Sequence, residues 1–398
     1  MDSGRRLLRI GLLTTGVMVL LILVLQAGPA PATQATAEAV RPTSTPEPLV
    51  PTRTPTPVMR AGTTEPAGTV PTLPRATAAS AGSVSTTTDD WRGVPRWGAG
   101  VAQGSILDYD IDPLRLGWYV DWRTRADPPQ LEGIEYVQMI RLRAGVLNPE
   151  ADVVTSVAQA VPGLLWLVGN EPDVKWQDNV EPAAYARLYH EAYTAIKEGD
   201  PTAQVALGGV AQPTPLRLRY LEEILEAYQD AFGEEMPMDF WNVHNFVLRE
   251  ERGSWGVDIP PGLADDYGEL YEIDDCGDLE IFKEQIVAFR QWMADHGYRD
   301  YALVVSEYGI PMPEDYGFPP ETTVAFLTGT FEFFLTARDP VLGYPEDDHR
   351  LVQRWCWYSL SAPDSYYPNG RLFDPDTYEM TAIGAGWAEY VRDRIVEE

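Results

Sequence analysis

The 398-residue chain has only two cysteines and four histidines. Cys276 and Cys356 are too few for a disulfide framework. Their settings, an acidic loop and an apolar strand-like run, argue against a bridge between them. His190, His244, His296 and His349 are scattered, and no Cys/His spacing suits zinc. No glycine-rich phosphate loop follows a strand-like run, so a nucleotide site is not expected. Positive charge is also scarce: 30 Lys and Arg stand against 60 Asp and Glu, a net charge of -30. Such a chain repels nucleic acid and anionic lipid headgroups. A neutral polymer, such as a polysaccharide, fits better. Aromatic residues are plentiful, with 12 Trp and 20 Tyr. Flat rings can stack on sugar faces, although most of them are expected to be core packing.

The N-terminus carries Arg5, Arg6 and Arg9 before an apolar run from Ile10 to Leu25. Residues 7–27 are long enough to span a bilayer. They also suit a signal peptide, with Ala27, Ala30 and Ala32 near a cleavage site. Cleaved signal and retained anchor both stay open, and either places the rest of the chain outside the cytoplasm. No cysteine follows the run, which excludes a lipoprotein anchor. Residues 28–90 are dominated by Pro, Thr, Ala and Ser, a composition that cannot bury a core and reads as a disordered stalk.

From Trp91 to the end, strand-like and helix-like segments alternate. Strands are expected near Arg96–Val101, Leu116–Trp122, Tyr136–Arg143, Leu164–Asn170, Gln204–Val210, Phe240–Val247, Ala302–Glu307 and Arg354–Leu360. Helical patterns cover Pro182–Glu198, Leu216–Phe232, Leu279–His296, Glu321–Ala337 and Thr381–Val396. Eight strands alternating with helices in one domain, residues 91–398, predict an α/β fold of the (β/α)8 TIM-barrel type. A doubly wound open sheet is the structural alternative.

Two of the strands end in glutamates. Leu164-Leu165-Trp166-Leu167-Val168-Gly169-Asn170-Glu171-Pro172 closes the fourth, and Ala302-Leu303-Val304-Val305-Ser306-Glu307-Tyr308-Gly309 closes the seventh. The C-terminal ends of barrel strands carry the chemistry of this architecture. Two carboxyl groups facing one cleft are what glycosidic bond cleavage requires. One must be protonated when substrate arrives, so its pKa should sit above the free value of about 4.3, and the other must stay ionised.

Asn170-Glu171-Pro172 and Ser306-Glu307-Tyr308-Gly309, on the fourth and seventh strands, resemble the signature of clan A glycoside hydrolases. Within the clan the chain is similar to the endo-β-1,3-glucanases of glycoside hydrolase family 128. The matching stretches are Trp118-Tyr119-Val120-Asp121-Trp122, Tyr136-Val137-Gln138-Met139, Gly169-Asn170-Glu171-Pro172-Asp173 and Asp239-Phe240-Trp241-Asn242-Val243-His244. The resemblance implies Glu171 as acid/base, Glu307 as nucleophile in a retaining mechanism, and Asn170 on a sugar hydroxyl. It implies no cofactor and no metal, with a β-glucan as the leading substrate. Another clan A specificity, such as a β-xylosidase, and a non-catalytic glycan-binding surface protein are the alternatives. Oligomeric state is not legible, and a monomer is the simpler expectation.

One departure stands out. Clan members often carry Tyr two residues after the sixth-strand His, where it orients the nucleophile. Here His244-Asn245-Phe246 puts a phenyl ring there, which cannot donate a hydrogen bond. Tyr308 or Tyr119 is the expected substitute, and His244 is a candidate contact for substrate or Glu307.

Trp355 and Trp357 share one face of the eighth strand. If that face is the lumen, Trp357 floors the sugar site. Trp118 and Trp122 are candidates for a more distant subsite. Arg141 and Arg143 are expected inside the barrel, on substrate or in an ion pair. The long segment Leu248–Asp278, with Trp255, Tyr267 and Tyr271, reads as a cleft wall. Its aspartates lack calcium-loop spacing. Tyr366 and Tyr367 would close the other side.

Overall fold

The computed structural model describes residues 90–363 and 368–397. The signal or anchor segment, the stalk up to residue 89, and Tyr366 and Tyr367 lie outside the described residues. Among those described, no helix is long and apolar enough to cross a membrane.

Eight parallel strands close into a barrel. They are β1 (Trp97–Val101), β2 (Trp118–Val120), β3 (Glu135–Ile140), β4 (Leu165–Val168), β5 (Gln204–Leu207), β6 (Phe240–His244), β7 (Ala302–Tyr308) and β8 (Arg354–Ser361). β8 pairs with both β7 and β1, which completes the circle. All eight coincide with the apolar runs of the sequence.

Among the described residues, six α-helices surround the barrel: α1 (Ala151–Ala160), α2 (Pro182–Gly199), α3 (Pro215–Phe232), α4 (Leu279–Asp295), α5 (Pro320–Thr336) and α6 (Ala382–Glu397). Three start on a proline, whose missing N–H costs nothing in the first turn. α4 starts instead on Asp278, whose carboxylate accepts from the N–H groups of Glu280 and Ile281. The first two crossovers lack an α-helix. Two short 3₁₀ turns, Ile106–Asp108 and Asp112–Leu114, link β1 to β2. An irregular loop containing Pro128 and Pro129 links β2 to β3.

Alternation along each strand splits the core in two. Val120, Val137, Met139, Leu165, Leu167, Phe240 and Val304 fill the barrel interior. Trp166, Trp241, Val305, Trp355 and Trp357 belong to the larger cluster outside it, which includes the inner faces of the helices. Trp91, from a short ribbon pairing Asp90–Trp91 with Val94–Pro95, packs edge-on to Phe240 at 5.6 Å. Trp91 therefore joins the interior cluster at the end of the barrel where the strands begin, opposite the two glutamates.

The alternation is broken once where it matters. Val243 of β6 pairs with Val305, but the next residue, His244, pairs with Glu307. β7 thus holds one extra residue, a bulge at Ser306. Val305 faces the helices, so regular pleating would send Glu307 outward as well. The extra residue turns it into the barrel mouth.

Candidate active site

Glu171 and Glu307 meet at the C-terminal mouth of the barrel with His244 between them. His244 Nδ1 lies 3.1 Å from Glu171 Oε1, and its Nε2 lies 3.9 Å from Glu307 Oε2. One side-chain atom from each of the three residues can be chosen so that all lie within 4.8 Å of one another. The three are buried, with Glu171 4% and Glu307 6% exposed. Glu171 holds a left-handed backbone conformation, φ +44°, in the turn that follows β4. A non-glycine residue in that region is uncommon and is held there by its surroundings. Here its N–H donates to Gly209 O at 3.0 Å.

The donor to Glu307 is Trp122. Its indole Nε1 donates to Glu307 Oε2 at 3.1 Å. The ring has room because β1 carries glycine below it: a Cβ on Gly100 would lie 2.5 Å from the Trp122 ring. The indole thus occupies the role that Phe246 cannot fill. Tyr308 and Tyr119, expected there, are elsewhere. Tyr308 faces the helices, 3.4 Å from Thr330 Oγ1, and Tyr119 donates to Pro129 O at 2.8 Å. Replacing Trp122 by Phe should lower kcat by about 10- to 100-fold, the range for a lost bond to a charged group. The acid limb of kcat/KM should also move to higher pH, since that bond holds the Glu307 pKa down.

Burial raises the Glu307 carboxyl from its ordinary 4.5 to about 7, with His244 opposing and Glu171 adding to the rise. His244 is raised in turn: burial disfavours its charged form, but Glu307 and Glu171 outweigh it. The two carboxyl groups thus favour the charged form of the imidazole that lies between them. Room for the ring depends on Gly209, where a Cβ would sit 2.9 Å from His244 Nε2. Gly209→Ala should displace the imidazole, cut turnover about tenfold or more and cost on the order of 1–3 kcal/mol. Steady-state assays and thermal melts check both.

Behind Glu171 lies a fully buried charge cluster. Arg217 Nε donates to Asp173 Oδ2 at 2.6 Å, and its Nη1 donates to Glu250. Burial raises Asp173 to about 6, Arg217 pulling it back and Glu171 pushing it further. Arg217 Nη2 also holds the carbonyls of Val257 and Asp258. The segment Leu248–Asp278 is fastened there and contributes nothing to the lining of the cavity, which corrects the expected cleft wall. Tyr267 is exposed, and Asp265 and Asp266 pair with Arg219 and Arg252.

The cavity beside Glu307 has a volume of about 630 Å³. Asn170, Arg141, Trp122 and Tyr358 face it. Asn170 Oδ1 is buried without a partner, an acceptor free for a ligand hydroxyl. Arg141 donates from Nε to Asp178 Oδ1 at 2.7 Å and from Nη2 to Gln177. Arg143 lies beyond β3 in a short 3₁₀ turn, not on the strand.

Two expected subsite residues are absent from the cavity. Trp357 is fully buried against Tyr308 and Phe326 and donates to Gly370 O at 2.6 Å. The inward position on β8 belongs to Cys356, so the Trp355–Trp357 face is the helix side. Trp118 does face inward, but it lies deep in the barrel, bonded to Arg96 O with the Arg354 guanidinium over its ring. Trp122 and Tyr358, whose rings meet at 5.5 Å, are the aromatics of the site. Parity could have found both: Trp122 is in phase with inward Trp118, and Tyr358 out of phase with Trp357. Asp178 carried no signal.

A closed barrel thus carries two buried glutamates at its mouth, one on β7 and one in the turn after β4. The family described as Glycosyl hydrolase catalytic core matches residues 100–257. The chain is a glycoside hydrolase. It resembles family 128 of that class. An endo-β-1,3-glucanase of that family's subgroup II from Sorangium cellulosum superposes with TM-score 0.51 at 16% identity, covering 74% of this chain and 98% of that one. A second, from Pseudomonas viridiflava, gives TM-score 0.50 at 15% identity over 74% and 96% of the two chains. At such identities the likeness is one of fold. No curated protein matches the sequence.

Proposed function

We propose that this protein hydrolyses a β-linked glucan by a two-glutamate retaining mechanism. The observation that carries the reading is the spacing of the carboxylates. An oxygen of Glu171 and one of Glu307 lie within 4.8 Å. Retaining glycosidases hold their carboxyl groups roughly 5–5.5 Å apart, and inverting ones roughly 6.5–9.5 Å apart to admit a water. In this reading Glu307, held by Trp122, attacks the anomeric carbon. Glu171 protonates the departing oxygen and then, as a base, activates the water that releases the sugar. Asn170 Oδ1 accepts from a hydroxyl of the sugar under attack. His244 shares charge with both carboxylates and passes no bond to substrate. A β-1,3 linkage is favoured by the likeness to family 128.

The N-terminal apolar run supports an extracytoplasmic setting, secreted or tethered.

The test is hydrolysis of a panel of β-1,3-, β-1,4- and mixed-linkage glucans and xylans by the full chain. Release of sugar from a glucan supports the reading. Release from xylan alone would move the specificity. Binding without release from any member would point to a non-catalytic glycan-binding protein.

A further inference from the structure

Three consecutive N–H groups anchor the turn that carries Glu171. Gly169 N–H donates to Ile140 O at 2.7 Å, and Glu171 N–H to Gly209 O at 3.0 Å. Both of those acceptors are backbone. The middle group, Asn170 N–H, donates instead to a side chain, Asp178 Oδ2, at 2.8 Å. Asp178 lies on the loop between β4 and α2, which folds back on itself: Val180 N–H donates to Pro172 O at 2.8 Å. The same carboxylate reaches the end of β3. Its Oδ2 also accepts from Leu142 N–H at 2.9 Å, and its Oδ1 from Arg141 Nε at 2.7 Å. Donors from the ends of two neighbouring strands therefore converge on one buried carboxylate.

What Asp178 holds faces the cavity, while Asp178 itself does not. Arg141 and Asn170 line it together with Glu307. Arg141 is occupied, with Nε on Asp178 and Nη2 on Gln177 Oε1 at 2.9 Å. Asn170 Oδ1 is buried and has no partner, so it is the acceptor that a ligand meets there. Its place follows from that of the Asn170 backbone, which the bond to Asp178 sets. Hydrogen bonds from N–H groups to a carboxylate are roughly twice as strong as those between neutral groups. Such precision matters at a reacting centre, where a shift of about 1 Å can cost on the order of 100-fold in rate.

We propose that Asp178 is a positioning residue for recognition of the 2-hydroxyl of the sugar whose bond is cleaved, and that it acts through Asn170. The inference rests on the two-glutamate reading and deepens it. In that reading Glu307 attacks the anomeric carbon. Asn170 lines the cavity with Glu307 and precedes Glu171 in the chain, so the hydroxyl it meets is the one on the adjacent carbon. Bonds to that hydroxyl strengthen as the transition state forms. Asp178 touches no substrate. It sets selectivity for sugars that carry the 2-hydroxyl over their 2-deoxy counterparts.

The test uses the full chain and a matched pair of substrates: the oligosaccharide it cleaves fastest, and its counterpart with a 2-deoxy unit at the bond cleaved. The readout is the ratio of kcat/KM, hydroxylated over 2-deoxy. The wild type should give a ratio of about 100 or more. Asp178→Ala should cut that ratio about tenfold or more, chiefly through kcat, because the interaction lost is made in the transition state. Asp178→Glu keeps the charge opposite Arg141 but displaces the carboxylate by one methylene, and should cut the ratio several-fold. It carries the test if thermal melts show that Asp178→Ala does not fold. Equal losses on the two substrates in a folded variant would mean a structural role only and overturn the inference, as would a wild-type ratio near one. Either result, with glycan hydrolysis intact in the wild type, leaves the two-glutamate reading standing. Binding calorimetry covers the opposite case. Tighter binding of the hydroxylated form, lost in the Asp178 variants, with no hydrolysis of any glycan, would keep the role of Asp178 and sink the catalytic reading.

Discussion

Glu307→Gln abolishes turnover and stabilises the fold. Without a carboxylate to attack the anomeric carbon, no glycosyl-enzyme forms, and kcat should fall on the order of 10⁴-fold or more. The stability effect has the opposite sign. Burial raises the Glu307 carboxyl from 4.5 to about 7, so the folded chain holds that proton more tightly than the unfolded chain does. The stabilising contribution of the proton is complete below pH 4.5 and is lost as pH rises through about 7. Above that range the native chain carries a buried charge, a difference worth about 3 kcal/mol. Glutamine is neutral and of the same shape. The variant should therefore melt roughly 4–8 °C higher than wild type at pH 8, with little difference near pH 4. Calorimetry at the two pH values checks this. The same protonation sets the acid limb of kcat/KM: the rate falls as pH falls, with an apparent pKa well above that of a free carboxylate.

Glu171→Gln has the second-largest effect and a different signature. A glycan whose leaving group needs a proton should lose about 10²- to 10⁴-fold in kcat/KM. An aryl glycoside with an acidic phenol leaves without help, so formation of the glycosyl-enzyme on it should be almost unimpaired. Its breakdown lacks the base and should become rate-limiting. Azide, a nucleophile that needs no base, should restore turnover and yield a β-glycosyl azide. No rescue by azide, or equal losses on both substrates, would remove Glu171 from the acid/base role.

Much of this was legible in the sequence. Buried parallel strands read as continuous apolar runs, so all eight declared themselves. The glutamates ended two of those runs beside Pro172 and Gly309, at the functional end of such a barrel. What was hidden is phase. An apolar strand with helices outside and a packed barrel inside is hydrophobic on both faces, so its pattern does not say which face is which. Trp357 was placed at the sugar site on that ambiguity, and it faces the helices. The bulge at Ser306 was equally invisible, because one extra residue leaves no mark on composition. The bond from Trp122 to Glu307 was hidden for a third reason: the two residues are 185 apart in sequence.

The most direct test of the two-glutamate account is the stereochemistry of the first product. Proton NMR should follow the wild-type chain acting on whichever β-linked oligosaccharide of the panel it cleaves fastest. The account predicts that the β-anomer appears first and the α-anomer only as mutarotation proceeds. Initial release of the α-anomer would mean that water attacks directly, and Glu307 would not be the nucleophile.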